Sequence, residues 1–91
     1  EIVIKIEYNI VYQETFMNIY DKLEQLSLTE SEKILIDYVV EHSEDIMNMS
    51  AADISKNSYV SVSTIYRIID KLELSGLQAF KSHIHFDRER Y

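Results

Sequence analysis

Residues 50–73, SAADISKNSYVSVSTIYRIIDKLE, hold two runs with helical spacing and a four-residue break between them. Ser50 stands where a cap opens the first run, with Asp53 three positions on as a short-armed capping-box partner. Ile54 supplies that run with an apolar contact. Asn57-Ser58-Tyr59-Val60 interrupts the pattern, and Ser61 is a natural N-cap for the second run. From there Val62, Ile65, Ile68, Ile69 and Leu72 recur as one stripe, predicted to be buried. The other face carries Ser63, Thr64, Tyr66, Arg67, Asp70 and Lys71. A helix, a tight turn and a second helix make a helix-turn-helix, a device that sets side chains against DNA base edges. Short hydroxyls, an aromatic ring and an arginine at the front of the second helix suit phosphate and base-edge contacts. A plain helical hairpin with a solvated polar face would read the same way, so the surrounding sequence has to decide.

That sequence supplies further helices. Met17–Leu26 places Ile19, Leu23 and Leu26 on one side. Thr29 with Glu32 three residues later is a capping box that opens a second helix running to about His42. Leu35, Tyr38, Val39 and His42 share one of its faces. Ser43-Glu44-Asp45 begins a short turn through Ile46 and Met47. After the motif, Ser75 is expected to cap a last helix holding Leu77, Phe80, Ile84 and Phe86. The expectation is an all-α fold of five helices, a homeodomain-like three-helix core with flanking helices. Its domain runs over residues 17–85, and residues 86–91 are read as a frayed end or the start of a linker.

Residues 1–16 differ in kind. Ile2, Ile4, Ile6, Tyr8, Ile10 and Tyr12 alternate with Val3, Lys5, Glu7, Asn9 and Val11, which is the period of a strand. A lone strand could pair across a dimer, and unpaired it would be a sticky edge. A purine-rich stretch resembling a ribosome-binding site can encode Gln13-Glu14-Thr15-Phe16 just ahead of Met17. The leader is therefore read as of uncertain status, either a strand or a non-native extension with Met17 as the biological start.

Composition limits the alternatives. Ninety-one residues, 46% of them hydrophobic, suffice for one modest core. The lack of cysteine excludes disulfides and thiolate metal sites and agrees with a cytoplasmic setting. No apolar run approaches the ~20 residues of a membrane span. The net charge of −7 would oppose a nucleic-acid partner if it were evenly spread. It is not. Residues 17–47 carry eight acidic and two basic side chains, a balance of −6, whereas residues 48–81 carry four basic and three acidic, a balance of +1. A phosphate-facing surface needs local positive potential rather than a basic whole chain. With so few cations, one domain should bind DNA weakly and in a salt-sensitive way.

The segment LTESEKILIDYVVEHSEDIMNMSAADISKNSYVSVSTIYRIIDKLELSGLQAFK, residues 28–81, resembles the N-terminal domain of the RpiR family of bacterial transcriptional regulators. The resemblance is carried by Leu28-Thr29 with Ser31-Glu32-Lys33; by Asp37-Tyr38, Met49-Ser50 and Val60-Ser61; by Thr64-Ile65 with Arg67; and by Lys71-Leu72, Ser75-Gly76, Gln78 and Phe80-Lys81. The chain departs from the family at Tyr59 and Glu73, where glycine is usual. If those positions need φ > 0, a side chain there costs roughly 1 kcal/mol, and a rearranged turn is expected. The resemblance implies a DNA-binding role in sugar or sugar-phosphate metabolism. It also implies a continuing sugar isomerase (SIS) domain that binds a phosphorylated sugar and helps form the oligomer. On that view this chain is a DNA-binding fragment of a longer regulator, and no effector site is assigned to it.

Ser61, Ser63, Thr64, Tyr66 and Arg67 are therefore the candidates for DNA contact, with Ser50 and Lys71 as phosphate contacts and Lys81 as a more distant one. Partners are expected to be double-stranded DNA and a second copy of the full-length protein, with half-sites about one DNA turn (~34 Å) apart. No membrane, cofactor or metal is expected, and no enzyme activity. His42, His83 and His85 carry no nucleophile–base pattern, and His83 and His85 could share a metal only on a strand. Two other readings stay open. A winged-helix regulator would need a two-stranded wing within residues 77–91, which contain no hairpin turn signal. An acidic protein-interaction bundle would use its first helices against a basic partner.

Overall fold

The computed structural model describes residues 18–90, and every regular element among them is helical. In chain order these are α1 (Ile19–Gln25), α2 (Glu30–Glu41), a 3-10 turn (Ile46–Asn48), α3 (Ala51–Ser58), α4 (Val62–Lys71), α5 (Leu77–Phe86) and a closing 3-10 turn (Asp87–Arg90). The five-helix, all-α expectation is borne out. Helices α2, α3 and α4 pack on one another, and α5 with both 3-10 turns closes the opposite side. The alternating leader lies outside the described residues.

Local signals set most of the boundaries. Thr29 Oγ1 accepts from the Glu32 N–H, and Glu32 Oε1 accepts from the Thr29 N–H, so the capping box opening α2 is complete. Ser50 and Asp53 form the same reciprocal pair on α3, at 3.0 and 2.9 Å. Ser61 caps α4 through the Thr64 N–H. One cap differs from expectation. Gly76, in extended backbone, rather than Ser75 heads α5, and no side chain caps it.

Tyr59 and Glu73 both have positive φ, 63° and 57°. The expected rearrangement does not occur: the chain keeps the left-handed geometry that glycine would adopt without strain. Tyr59 ends α3 in that conformation and turns the chain into α4. At Glu73 the reason is legible. The Glu73 N–H donates to the Asp70 carbonyl and the Leu74 N–H to that of Ile69, at 3.0 and 3.1 Å. That is the paired bonding of a Schellman end, with Leu74 packed against the core. The carbonyls satisfied at the helix end offset the strain of the side chain.

The core holds Ile19, Leu23, Leu35, Val39, Ile46, Ile54, Val60, Ile65, Ile68, Ile69, Leu72, Phe80 and Ile84, all buried. Four of the five stripe residues of α4 are among them. Val62 is not, being 39% exposed, while Thr64 is only 3% exposed. At 100° per residue the two lie on opposite edges of the stripe. The packing closes over the Thr64 edge, where α2 brings Glu32, and leaves the Val62 edge open. Phe86 is exposed, and Tyr38 and His42 stack half-buried at 4.1 Å.

The segment read as a frayed end is packed through Arg88. Asp87 is buried, accepts from the Ile19 N–H and from His83 Nδ1, and offers its carbonyl to Asn18 Nδ2. Arg88 donates to Ser43 Oγ and to the Val40 carbonyl. A carboxylate that serves the first turn of α1 from the far end of the chain gives this segment a reason to dock that its polar composition conceals.

Candidate nucleic-acid interface

The front of α4 is a cluster of hydroxyls. Ser61 Oγ accepts from the Thr64 N–H at 3.2 Å and lies 2.9 Å from both Ser63 Oγ and Thr64 Oγ1. Ser61 and Ser63 face solvent, as do Tyr66 and Arg67 one turn on. Ser61 takes up the Thr64 N–H, and the other N–H groups of a helix's first turn, which have no partner within the helix, favour an anion such as a phosphate. Ser50 presents its own capped helix end at α3, also exposed. Asp53 is held below the usual carboxylate range by its bonds from the Ser50 backbone and hydroxyl, so it stays ionised as a cap.

Thr64 stands apart from its neighbours. It is buried, and its hydroxyl accepts from Arg67 Nη2 at 3.0 Å. The structure therefore turns Thr64 toward the protein and makes it a support for Arg67. Lys71 is also engaged: its ammonium donates to Glu32 Oε1 at 2.6 Å and to the Ser27 carbonyl at 3.2 Å.

Glu32, read from the sequence as the capping-box partner of Thr29, sits beneath both cations. Its side chain is fully buried, yet it meets two charges of α4: Lys71 at Oε1, and Arg67 Nε at 3.4 Å from Oε2. Oε2 accepts no hydrogen bond among the described residues. Burial alone would raise this carboxyl. The Lys71 hydrogen bond, the Thr29 N–H and the charges of Lys71 and Arg67 outweigh it and hold the group below the ordinary carboxylate range. The spacing of Thr29 and Glu32 signals the cap, but nothing in the sequence signals which residues of α4 stand over it.

Lys81 is not available to DNA. It is 8% exposed, and its ammonium donates to the Met49 carbonyl at 2.8 Å and to that of Met47 at 3.4 Å. It ties α5 to the chain entering α3. His83 and His85 lie on helix α5, so the strand geometry that a shared metal would need is not present. His83 Nδ1 meets Asp87, and His85 Nδ1 meets the Ser43 carbonyl. Residues 77–90 are helical, which leaves the winged-helix reading without a wing among the described residues.

Residues 17–88 match the family model described as "Helix-turn-helix domain, rpiR family". The chain belongs to the RpiR family of helix-turn-helix domains. The match takes in all five helices of this RpiR domain and agrees with the resemblance read from residues 28–81. Over 67 residues the chain is 39% identical to a protein named as an uncharacterized HTH-type transcriptional regulator of Clostridium perfringens. That alignment covers 71% of this chain and 24% of the relative, so the RpiR domain corresponds to about a quarter of the longer protein. No solved structure matches the chain. Among the described residues, no helix is long and apolar enough to cross a membrane.

Proposed function

We propose that this RpiR domain binds operator DNA through α4 and serves a transcriptional regulator. The observation that carries the reading is the outer row of α4: Ser61, Ser63, Tyr66 and Arg67 are exposed together on a helix whose other face is sunk in the core. A second helix anchored this way can enter a major groove without disturbing the fold. Arg67 is the natural base or phosphate grip, Ser61 and Ser63 suit backbone or base-edge hydroxyl contacts, and Tyr66 offers an aromatic edge. Ser50 and the end of α4 at Lys71 flank that row as phosphate contacts, Lys71 by exchanging Glu32 for a phosphate. Thr64 contributes through Arg67.

Few cations line this surface, so one copy holds DNA weakly and two copies are needed for a specific site. Family membership supports a longer regulator of sugar or sugar-phosphate metabolism, with effector binding and oligomerisation in another domain. DNA titrations at low salt, followed by fluorescence anisotropy, test the DNA reading. Arg67→Ala should weaken binding by about 5- to 150-fold, corresponding to ~1–3 kcal/mol, and should lower thermal stability as well, because the buried Glu32 carboxylate loses the charge beside its Oε2 while the apolar stripe of α4 stays intact. Undiminished binding by Arg67→Ala, or no binding by the wild type at low salt, would remove α4 as the reading element. A tandem of two copies should recover tighter specific binding through effective concentration.

A further inference from the structure

We infer that Glu32, from beneath the recognition helix, is the positioning residue that aims the Arg67 guanidinium at DNA; the inference rests on the DNA reading of α4. Glu32 is fully buried and is itself fixed, because Oε1 accepts from the Thr29 N–H and from Lys71 Nζ. Its other oxygen lies 3.4 Å from Arg67 Nε, on the inner side of a guanidinium whose side chain is 53% exposed. Thr64, also buried, accepts from Nη2 at 3.0 Å. Two inward supports of opposite kind, one ionic and one a hydroxyl, therefore hold the guanidinium on its Nε–Nη2 side. A guanidinium carries five N–H donors in a planar fork. With the inner side held, the terminal Nη1–Nη2 edge is the one left to face outward. That edge matches two acceptors side by side, as on guanine or on a phosphate.

The arrangement also accounts for a buried carboxylate in a domain that binds a polyanion. A negative charge under the reading surface opposes DNA in general and weakens binding to any sequence. Its compensating effect is to restrict one long side chain to a single orientation before DNA arrives, which favours the sequence that fits that orientation. Removal of the Glu32 charge should therefore act with opposite sign on two quantities. Affinity for arbitrary DNA should hold or rise, and preference for the chosen sequence should fall. A residue that merely stabilises the fold would lower both together or neither.

The test uses the full chain and two probes: a duplex enriched by this protein from a randomised DNA pool, and a scrambled duplex of the same composition. Glu32→Gln keeps a carbonyl oxygen for the Thr29 N–H and removes the charge. It should reduce the ratio of enriched to scrambled affinity about 10-fold while binding to the scrambled duplex stays equal or strengthens. Thr64→Val keeps the buried volume and removes the hydroxyl. It should reduce the ratio in the same direction, and it preserves the test should Glu32→Gln fail to fold. In an Arg67→Ala background neither change should lower the ratio further. A readout without DNA is the order parameter of the Arg67 Nε–H bond, which should drop in Glu32→Gln as the side chain becomes free on the ps–ns timescale. An unchanged ratio in both variants, or an equal fall in the Arg67→Ala background, would overturn the inference while leaving α4 as the DNA-reading helix. A wild type that prefers neither duplex would instead overturn the DNA reading, and with it this inference.

Discussion

Replacement of Lys81 by Met separates a structural lysine from a phosphate contact. Methionine retains most of the aliphatic stem and its packing on α5, so the change acts mainly on the ammonium. In the folded domain that ammonium serves two carbonyls, Met49 at 2.8 Å and, more loosely, Met47 at 3.4 Å. A hydrogen bond from a charged donor contributes about 1.5–3 kcal/mol, and a buried carbonyl left without a partner costs about 1–3 kcal/mol. Relief from keeping an ammonium at 8% exposure offsets part of this loss. The expected net destabilisation is about 2 kcal/mol. For a domain of this size that corresponds to a fall in Tm of roughly 8–16 °C, measured by circular dichroism. DNA binding, measured below the new Tm, should keep the same slope against salt, because no phosphate contact is lost. An unchanged Tm together with a slope reduced by about one counterion would contradict the structural role and return Lys81 to the DNA surface.

Ile65→Ala should destabilise the domain by roughly 2–5 kcal/mol in urea titrations, since its side chain is fully buried, and Ser63→Ala should leave stability within ~0.5 kcal/mol while changing operator affinity. The reverse order would mean that α4 is rotated. Tyr59→Gly should raise stability by up to about 1 kcal/mol in the same assay, because Tyr59 is 94% exposed, contributes little packing and holds φ at 63°. A loss of stability in that variant would mean that the exposed ring makes contacts worth more than the strain. The Glu32 carboxyl titrates lower in the folded chain than in the unfolded one, so its stabilisation is fully present above the ordinary carboxylate pKa and is lost as pH falls through the depressed value. Urea midpoints measured against pH should therefore fall less steeply on the acid side for Glu32→Gln than for the wild type, and parallel curves would contradict the assignment.

The helices are legible in the sequence where a cap and a stripe coincide. Thr29 with Glu32, Ser50 with Asp53, and Ser61 ahead of Ile65, Ile68, Ile69 and Leu72 each place a start and a buried face within a few residues. Such signals are local, and local periodicity carries them. Contacts between distant segments are harder to read. Lys81 looks like a surface cation until Met47 and Met49 are seen to lie beneath it, 34 and 32 residues away in sequence. Asp87 looks like a tail residue until it meets Ile19. At Tyr59 and Glu73 a sequence records only that glycine is missing, not that the backbone keeps its left-handed course. Within the candidate site, the exposed row of α4 is readable from spacing. Burial of Thr64 is not, because a threonine at the edge of a stripe fits either side and the approach of α2 decides which.

Whether α4 meets DNA with its outer face is tested most directly by titrating the isotopically labelled chain with operator duplex at low salt. Backbone and side-chain amide signals are followed by NMR. The largest changes should fall on Ser61, Ser63, Tyr66 and Arg67, with smaller ones at Ser50 and Lys71, while α5 and the acidic outer face of α2 stay still. Changes centred on α1 and α2, with Ser63 and Arg67 unmoved, would contradict a DNA-reading α4.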